Sequence, residues 1–233
     1  MNKKRNYVLV HGAWFGGWVW APVARALRTQ GHDVTSPTLS GLGERRHLAP
    51  SVTGIETHVR DVVDHIVMED LHDIDLVGWS YGGMVVAGVA SALPDRIRSL
   101  TYLDAFVPAD GTALIDYAEP WVKPVILEAR DADKDLDPMP LEVMGLIDPV
   151  WAPYTSKRVT PHPWRTLTTP VQRSYPETLA QAYVRCTDFA NPSFDVALKD
   201  FQAAGHRTHT MSGGHVPMLD KVDETVRILS SPA

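Results

Sequence analysis

Short apolar stretches alternate with longer stretches of helical periodicity over most of this chain. Five of the short stretches are nearly all apolar or β-branched, as is typical of buried strands, and a sixth shows this character more weakly. The predicted strands are residues 7–10, 33–37, 74–78, 98–104, 183–187 and 206–211. Strands that alternate with helices form a parallel sheet covered by helices on both faces. The pattern therefore predicts an α/β fold built on about six mostly parallel strands.

Residues 55–68 have the periodicity of an amphipathic helix. The stripe opposite the apolar one carries His58, Asp61 and His65. Imidazole and carboxylate groups are metal ligands, so a metal site is one interpretation of this stripe. A polar stripe opposite an apolar one is more often the solvent-exposed face of a helix. We therefore expect these three side chains to face solvent, and we expect no metal site.

The alternation stops between residues 111 and 176, where many prolines interrupt any long element. This stretch still carries large apolar side chains such as Trp121, Ile126 and Met144, so it is too apolar for a disordered linker. We expect it to fold as a cap over the sheet. After it the strand and helix alternation resumes, so residues 1–233 are predicted to form a single domain with an inserted cap at about 111–176.

Composition and charge exclude several classes of partner. The chain has 233 residues with 22 basic and 28 acidic side chains, and a net charge of −6 does not favour nucleic acid. The apolar run at residues 7–10 is too short for an export signal, and no stretch approaches membrane-spanning length. A single cysteine, Cys186, cannot form an internal disulfide. We expect a cytoplasmic protein without a membrane or nucleic-acid partner, and a homodimer stays open.

The sequence GWSYG at residues 78–82 carries the clearest chemical signal. A buried strand leads directly into it, and a helix rich in small residues follows. This is the context of a nucleophile elbow, in which a serine occupies a strained turn and glycines two positions away allow the chain to pack closely. The pattern predicts that Ser80 is a nucleophile. The alternative is a serine in an ordinary turn between strand and helix.

A nucleophilic serine needs a base, and His215 is the best candidate. It lies in the turn between the last predicted strand and the last predicted helix. That position places it at the same carboxyl edge of the sheet as Ser80. Gly213 and Gly214 give the turn the freedom to present the imidazole to the serine. A histidine in a surface loop is the alternative.

Two aspartates compete for the role of the acid that orients the histidine. Asp104 ends the strand that follows the helix of Ser80, and Asp188 follows the next strand. Both agree with the chain order of serine, acid and histidine in this architecture. We favour Asp104 because its strand is longer and better defined, whereas the loop of Asp188 reaches Pro192 quickly. Asp188 remains the alternative.

Acyl transfer also requires backbone donors for the developing oxyanion. The amide of Tyr81, which follows the nucleophile, and the amide of Ala13, in the loop after the first strand, are the predicted donors. That loop is rich in glycine, but its spacing is not that of a dinucleotide-binding turn. We therefore expect no cofactor. The predicted substrate contacts are Gly12, Trp14, Trp79 and Trp121.

Through these motifs the chain resembles an α/β-hydrolase of the group that includes plant methyl-ester esterases, hydroxynitrile lyases and bacterial carbendazim-hydrolysing esterases. The stretches that carry the resemblance are residues 8–20, 41–48, 57–63, 78–85, 102–108 and 213–219. It implies a six-stranded core with a cap, a Ser80 and His215 pair, and oxyanion donors at Ala13 and Tyr81. Many relatives carry the acid in a longer loop after the strand of Cys186, whereas other α/β-hydrolases use the position of Asp104.

The chain departs from this group at three positions. Relatives commonly have histidine where Trp79 stands, a difference that we assign to packing. Hydroxynitrile lyases of the group have lysine where Val216 stands and threonine where Gly12 stands. A cyanide leaving group needs a positive charge, so these two residues disfavour lyase activity.

The sequence therefore predicts a serine hydrolase that cleaves a carboxylic ester, a carbamate or an activated amide through an acyl-enzyme. The apolar cap residues predict a small hydrophobic substrate. Two alternatives stay open. One is a lyase or cofactor-free oxygenase on the same fold, and the other is a non-catalytic ligand receptor.

Overall fold

A computed structural model describes residues 4–48 and 53–231, and its centre is a sheet with the strand order β2-β1-β3-β4-β5-β6. Each pair of neighbouring strands runs parallel. The strands are β1 (Asn6–Val10), β2 (Asp33–Thr35), β3 (Ile74–Ser80), β4 (Ile97–Ala105), β5 (Ala180–Cys186) and β6 (Arg207–Met211). The six predicted strands and the α/β class are confirmed, and the sheet is entirely parallel.

Helices cover both faces of the sheet because its strands are apolar on both sides. They are α1 (Ala21–Thr29), α2 (Ile55–Met68), α3 (Gly82–Ala92), α4 (Leu114–Tyr117), α5 (Val122–Asp131), α6 (Trp151–Ser156), α7 (Arg165–Thr168), α8 (Pro192–Ala203), α9 (Pro217–Asp220) and α10 (Val222–Ser230). Val8 and Val10 of β1 belong to the core under α2, α3 and α8. Tyr7 and Leu9 belong to the core under α1, α9 and α10. The alternation of side chains along one strand thus serves two cores.

The strand order places the functional loops at one edge. β1 pairs with β2 on one side and with β3 on the other, so the loops after β1 and β3 leave the sheet toward different neighbours. Ligands of open parallel sheets bind at the carboxyl ends of the strands beside such a point. The ends of β3, β4 and β6 meet at this edge.

The polar stripe of α2 does not face solvent as expected, because His58 is buried and Asp61 and His65 are partly buried. His58 is 0% exposed, and its Nε2 bonds the carbonyl oxygen of Ser40 at 2.8 Å. Asp61 accepts hydrogen bonds from the amide and hydroxyl of Ser40 and pairs with Arg45. The loop after β2 folds back over this stripe, which helical periodicity does not reveal. The described part of the chain contains no cluster of three or more His, Cys, Asp or Glu side chains suited to a metal ion.

The connection from β4 to β5 carries α4, α5, α6 and α7, and the predicted cap boundaries at 111 and 176 fall within it. Two isolated bridges tie its parts together, Thr112 to Val171 and Leu136 to His162. It is fastened to the loop after β1, because the Thr160 amide donates to the carbonyl oxygen of Trp14 at 2.9 Å.

No helix within residues 4–48 and 53–231 combines the length and the apolar character that crossing a bilayer requires.

Candidate active site

Ser80 occupies a strained turn between β3 and α3. Its φ of +56° lies in the left-handed region, which side chains other than glycine rarely adopt. A Cβ atom at Gly78 would lie 2.6 Å from the carbonyl oxygen of Gly82, and one at Gly82 would lie 2.8 Å from the carbonyl oxygen of His11. Glycines are therefore required on both sides of the serine. The strain presents the Ser80 hydroxyl at the edge of the sheet, as the sequence predicts for a nucleophile elbow.

His215 reaches Ser80 from the loop after β6, with 2.8 Å between its Nε2 and Ser80 Oγ. The backbone of His215 is held on both sides. Its amide donates to the carbonyl oxygen of Met144 at 2.7 Å, and its carbonyl oxygen accepts from Trp79 Nε1 at 2.6 Å. Phe189 stacks on the imidazole with 4.2 Å between ring centroids. These contacts fix the ring in place.

Asp104 lies behind His215, with 2.7 Å between its Oδ2 and His215 Nδ1. It follows the apolar stretch of β4, is 0% exposed and has a φ of +43°. Its other oxygen, Oδ1, accepts hydrogen bonds from Arg185 Nη1 at 2.8 Å and from the Cys186 amide at 3.0 Å. Because a carboxylate accepts, Nδ1 of His215 carries the hydrogen, which leaves Nε2 free to accept the Ser80 proton.

The alternative acid, Asp188, lies elsewhere. It is exposed and accepts hydrogen bonds from the Thr187 hydroxyl at 3.0 Å and from the Gly213 amide at 2.9 Å. Asp188 therefore supports the loop that carries His215, and the contact to the imidazole itself comes from Asp104. The structure brings Ser80, His215 and Asp104 together and leaves Asp188 outside this chain of hydrogen bonds.

The two predicted oxyanion donors lie beside Ser80, and both Ala13 and Tyr81 line the adjoining cavity. Within the described part of the chain, neither amide donates to a backbone or side-chain acceptor. The next amide, that of Trp14, is occupied by Nδ1 of His162 at 3.3 Å. At Gly12, a Cβ atom would lie 2.9 Å from Ser80 Cβ, so the loop after β1 approaches the serine closely.

Three buried histidines surround this loop and Tyr81, and the sequence did not indicate them as part of the site. Their neighbours fix the tautomers. His58 Nδ1 accepts from the Tyr81 hydroxyl at 2.8 Å, because Nε2 donates to a carbonyl oxygen. His11 Nε2 accepts from the Leu39 amide at 3.0 Å, and His162 Nδ1 accepts from Trp14. Each ring is therefore a neutral donor and acceptor.

Burial keeps these rings uncharged. It lowers the pKa of His11 and of His58 to about 4, and it lowers the pKa of His162 well below its ordinary value. Burial also raises the pKa of the Tyr81 hydroxyl, which remains a donor. The signal that could have identified the group is the number of histidines in otherwise apolar segments, but spacing alone does not show that they converge.

A cavity of about 340 Å³ opens beside Ser80 and His215. Most of its lining is apolar, including Leu114, Ile126, Leu136, Leu167, Phe106 and Phe194, and Glu119 and Asn191 add polar groups. Trp14 and Trp121 line the cavity as expected for substrate contacts. Gly12 and Trp79 do not line it. Trp79 is 1% exposed and packs edge-on against Phe15, so its role in the structure is packing and support of His215.

Arg185 is a second feature that the sequence did not indicate. It is a cation inside the apolar strand β5, and its side chain is 4% exposed. A charged residue in a buried strand requires a partner, which is the signal that could have drawn attention to it.

The arrangement is suited to proton transfer. A serine hydroxyl, an imidazole and a buried carboxylate form one line of hydrogen bonds. Ala13 and Tyr81, whose amides have no acceptor among the described residues, line the same cavity and could donate to a reacting carbonyl oxygen. These groups can activate the serine and stabilise an oxyanion without a cofactor.

A sequence model of the alpha/beta hydrolase family matches residues 7–228. A "Carbendazim hydrolyzing esterase" from Nocardioides sp. (strain SG-4G) is 44% identical over 152 residues, 61% of this chain and 63% of that protein. An "Alpha-hydroxynitrile lyase" from Arabidopsis thaliana is 30% identical over 109 residues, 46% of this chain and 42% of that protein. The matched stretches thus span less than two thirds of either relative.

Among solved structures, an extracellular alpha/beta-hydrolase from a Paenibacillus species superimposes with a TM-score of 0.85. The two chains are 24% identical, and the superposition covers 97% of each. At this identity the likeness concerns the fold. It agrees with the parallel sheet and flanking helices described above.

Proposed function

Because this chain belongs to the alpha/beta hydrolase family, as predicted from its motifs, we propose that it is a serine hydrolase that cleaves carboxylic esters through an acyl-enzyme. Carbamates and activated amides belong to the same proposal, since the same attack on a carbonyl carbon cleaves them. Ser80 is the nucleophile, His215 the general base and acid, and Asp104 the residue that orients the imidazole. Ala13 and Tyr81 supply the oxyanion donors.

One observation carries the proposal: the unbroken line from Ser80 Oγ to His215 Nε2 at 2.8 Å and from His215 Nδ1 to Asp104 Oδ2 at 2.7 Å. Nucleophile, base and orienting acid are each within hydrogen-bonding distance of the next. The line ends in a cavity, so a substrate carbonyl carbon has access to the serine.

The reaction has two halves. As Ser80 Oγ attacks the carbonyl carbon, its proton moves to His215 Nε2 and the carbonyl oxygen becomes an oxyanion facing the two amides. His215 then gives the proton to the leaving alcohol, and the acyl group remains on Ser80. Water enters, His215 takes a proton from it, and the second attack releases the acid and restores the serine.

The cavity supports a small hydrophobic substrate. Its volume of about 340 Å³ and its apolar walls favour a substrate with one compact apolar group on either side of the ester. Glu119 is the acidic side chain at this wall. Its charge disfavours a substrate that is itself an anion.

The similarity to an α-hydroxynitrile lyase keeps a lyase as the second candidate. The residues argue against it. Val216, which follows the histidine, is buried and apolar, and among the described cavity-lining residues no lysine or arginine offers a positive charge for a cyanide group. A cofactor-free oxygenase and a non-catalytic receptor remain outcomes of the experiment below.

For compartment and partners, we propose a cytoplasmic enzyme whose partner is its small ester substrate, without a nucleic-acid or membrane partner. The net charge of −6 and the buried free thiol of Cys186 support this view. A homodimer stays open, and sedimentation of the purified chain would decide it.

The proposal is tested by hydrolysis of p-nitrophenyl esters of increasing acyl length, together with carbendazim, by the wild type and by Ser80→Ala. We expect turnover of short and medium esters that falls by at least about 10³-fold in Ser80→Ala. Ser156→Ala, at an exposed serine of α6, is the matched control and should retain full activity. Equal turnover in Ser80→Ala, or none by a folded wild type, would refute the proposal and favour the other candidates.

A further inference from the structure

Arg185 brings a positive charge to the acid of the site. Its Nη1 donates to Asp104 Oδ1 at 2.8 Å, and the side chains of the two residues are 4% and 0% exposed. Burial of a charge is costly unless it is paired and hydrogen-bonded. Asp104 of this pair is also hydrogen-bonded to the imidazole of His215. The pair therefore acts on the site as well as on the stability of the fold.

The guanidinium of Arg185 also holds the loop after β5. Nη1 donates to the carbonyl oxygen of Cys186 at 2.6 Å, and Nη2 donates to that of Phe189 at 2.8 Å. Nε donates to Asp195, an exposed residue of α8, at 2.8 Å. The planar fork of arginine has the geometry to serve these acceptors together. One side chain thus connects Asp104 with the residue that stacks on the histidine.

This connection determines which oxygen of Asp104 faces His215. Oδ1 is occupied by Arg185 and by the amide of Cys186, so Oδ2 is the oxygen available to the imidazole. Phe189 stacks on the same imidazole with an interplanar angle of 22°. Arg185 therefore holds both Asp104, which is hydrogen-bonded to the imidazole, and Phe189, which stacks on it.

The charge of Arg185 has a second consequence. A carboxylate stabilises a neighbouring imidazolium, and a cation on the far side of that carboxylate opposes this effect. The neutral imidazole is the form that accepts the Ser80 proton.

We propose that Arg185 is a positioning residue that holds Asp104 and Phe189 against His215, and that its positive charge opposes the stabilisation of an imidazolium by Asp104. The catalytic meaning of this statement rests on the proposed serine hydrolase function. Arg185 does not itself contact the cavity, so it acts through Asp104 and Phe189.

Other charged and titratable groups also lie near this site. Burial raises the pKa of the Cys186 thiol and of the Tyr183 hydroxyl, so both stay uncharged. Charged groups on surrounding elements include Glu119, which lines the same cavity as His215. Asp188, Asp195 and Asp220 are exposed, and Lys221 and Glu224 are partly buried. Arg185 is the cation in direct contact with Asp104.

The test compares Arg185→Gln, which removes the charge, with Arg185→Lys, which keeps it but lacks the fork. Arg207→Gln, on the neighbouring strand β6, is the matched control. The first readout is the downfield proton resonance of the hydrogen between His215 Nδ1 and Asp104 Oδ2, followed against pH without substrate. In Arg185→Gln its titration midpoint should rise by roughly one pH unit, and in the other two variants it should stay in place.

The second readout is the pH profile of kcat/KM on the best ester. In Arg185→Gln the midpoint of its acidic limb should rise by the same amount as the midpoint of the resonance. In Arg185→Lys the limb should stay in place while kcat falls by about tenfold, because the carbonyl of Phe189 loses its donor. If the resonance and the pH profile of Arg185→Gln had the same midpoints as those of the wild type, the proposed charge effect would be wrong. If Arg185→Lys had the kcat of the wild type, the proposed positioning of His215 would be wrong.

Arg185→Lys keeps the ion pair with Asp104, so it is the variant that retains the fold if Arg185→Gln does not. The two readouts separate this proposal from the proposed function. A wild type that hydrolyses no ester refutes the esterase but leaves the resonance as a test of Arg185. A wild type that hydrolyses esters, with an unshifted resonance in Arg185→Gln, refutes the role of Arg185 alone.

Discussion

Asp104 Oδ2 lies 2.7 Å from His215 Nδ1, so the acid that contacts the histidine comes from the end of β4. The candidate in the loop after β5, Asp188, bonds Gly213 instead. The chain of hydrogen bonds to Ser80 therefore runs through the two strands β3 and β4 and the loop after β6. This placement leads to a direct comparison of the two aspartates.

Replacing Asp104 by asparagine should lower kcat on the best ester by about three to four orders of magnitude. An amide no longer selects the tautomer with hydrogen on Nδ1, and it stabilises a protonated His215 poorly. Asp188→Asn should stay within about threefold of the wild type, since its oxygen can still accept from Gly213. The measurement is kcat and KM for both variants.

Thermal unfolding is the control for Asp104→Asn, because that change also removes the buried one of the two carboxylates that pair with Arg185. The contrary outcome is a larger loss in Asp188→Asn than in Asp104→Asn, with both variants folded. It would assign the acid to the loop after β5.

The sequence predicted the fold well because buried parallel strands are nearly continuous apolar runs. The strand at residues 98–104 appears in the structure as Ile97–Ala105. The motif around Ser80 was equally clear, since only glycine fits at positions 78 and 82. Both the strands and this motif are encoded in short continuous segments, so both can be predicted without the structure.

Contacts between distant segments could not be read in this way. The polar stripe of α2 looked solvent-facing, yet His58 is buried between Ser40 and Tyr81. Arg185 looked like one more residue of a strand, although it spans from β4 to α8. These pairings depend on how the loops fold back over the sheet, which periodicity along the chain does not encode.

Acid should destabilise the protein through its buried histidines. The pKa of His58 is about 4 in the fold and about 6.5 in the unfolded chain, so below pH 6.5 the unfolded chain binds more protons. The stability from this group is complete above pH 6.5 and is lost as the pH falls toward 4. For one such histidine the loss between pH 7 and 4.5 is about 2 to 3 kcal/mol.

Denaturant unfolding at pH 7 and at pH 4.5 measures this effect. His58→Gln should reduce the pH-dependent loss by about 2 kcal/mol, although it is less stable at pH 7. His72→Gln, at an exposed histidine, should leave the loss unchanged. An identical loss in wild type and His58→Gln would show that His58 does not titrate in this range.

Chain-length preference should follow the size of the cavity. Ile126 is 1% exposed and lines the cavity, so Ile126→Ala should shift the best acyl chain to a longer one. The change in preference for one added methylene is expected to be at least about tenfold. Val125→Ala, at the preceding residue of α5 and 52% exposed, is the control and should keep the wild-type preference. The same optimum in both variants would place the acyl group outside this cavity.

Gly12→Ala should impair catalysis more than stability. The added methyl would lie 2.9 Å from Ser80 Cβ and displace the loop that carries Ala13. A loss of roughly 10²-fold in kcat is expected for such a displacement. Gly205→Ala is the control, and we expect it to lower stability and not activity. Its added methyl group would have no neighbour within 4 Å, but its φ of +72° is unfavourable for alanine. We expect a loss of about 1 kcal/mol of stability with kcat unchanged. Full activity in Gly12→Ala would argue against an oxyanion donor in this loop.

The most direct test of the covalent mechanism is the intact mass of the protein after reaction with a p-nitrophenyl phosphonate ester, whose adduct water removes slowly. We expect one added phosphonyl group, located on the peptide that contains Ser80, in the wild type and in Ser156→Ala. Ser80→Ala should gain no mass. Ester turnover by a wild type that forms no adduct, or an adduct located on another residue, would contradict attack by Ser80.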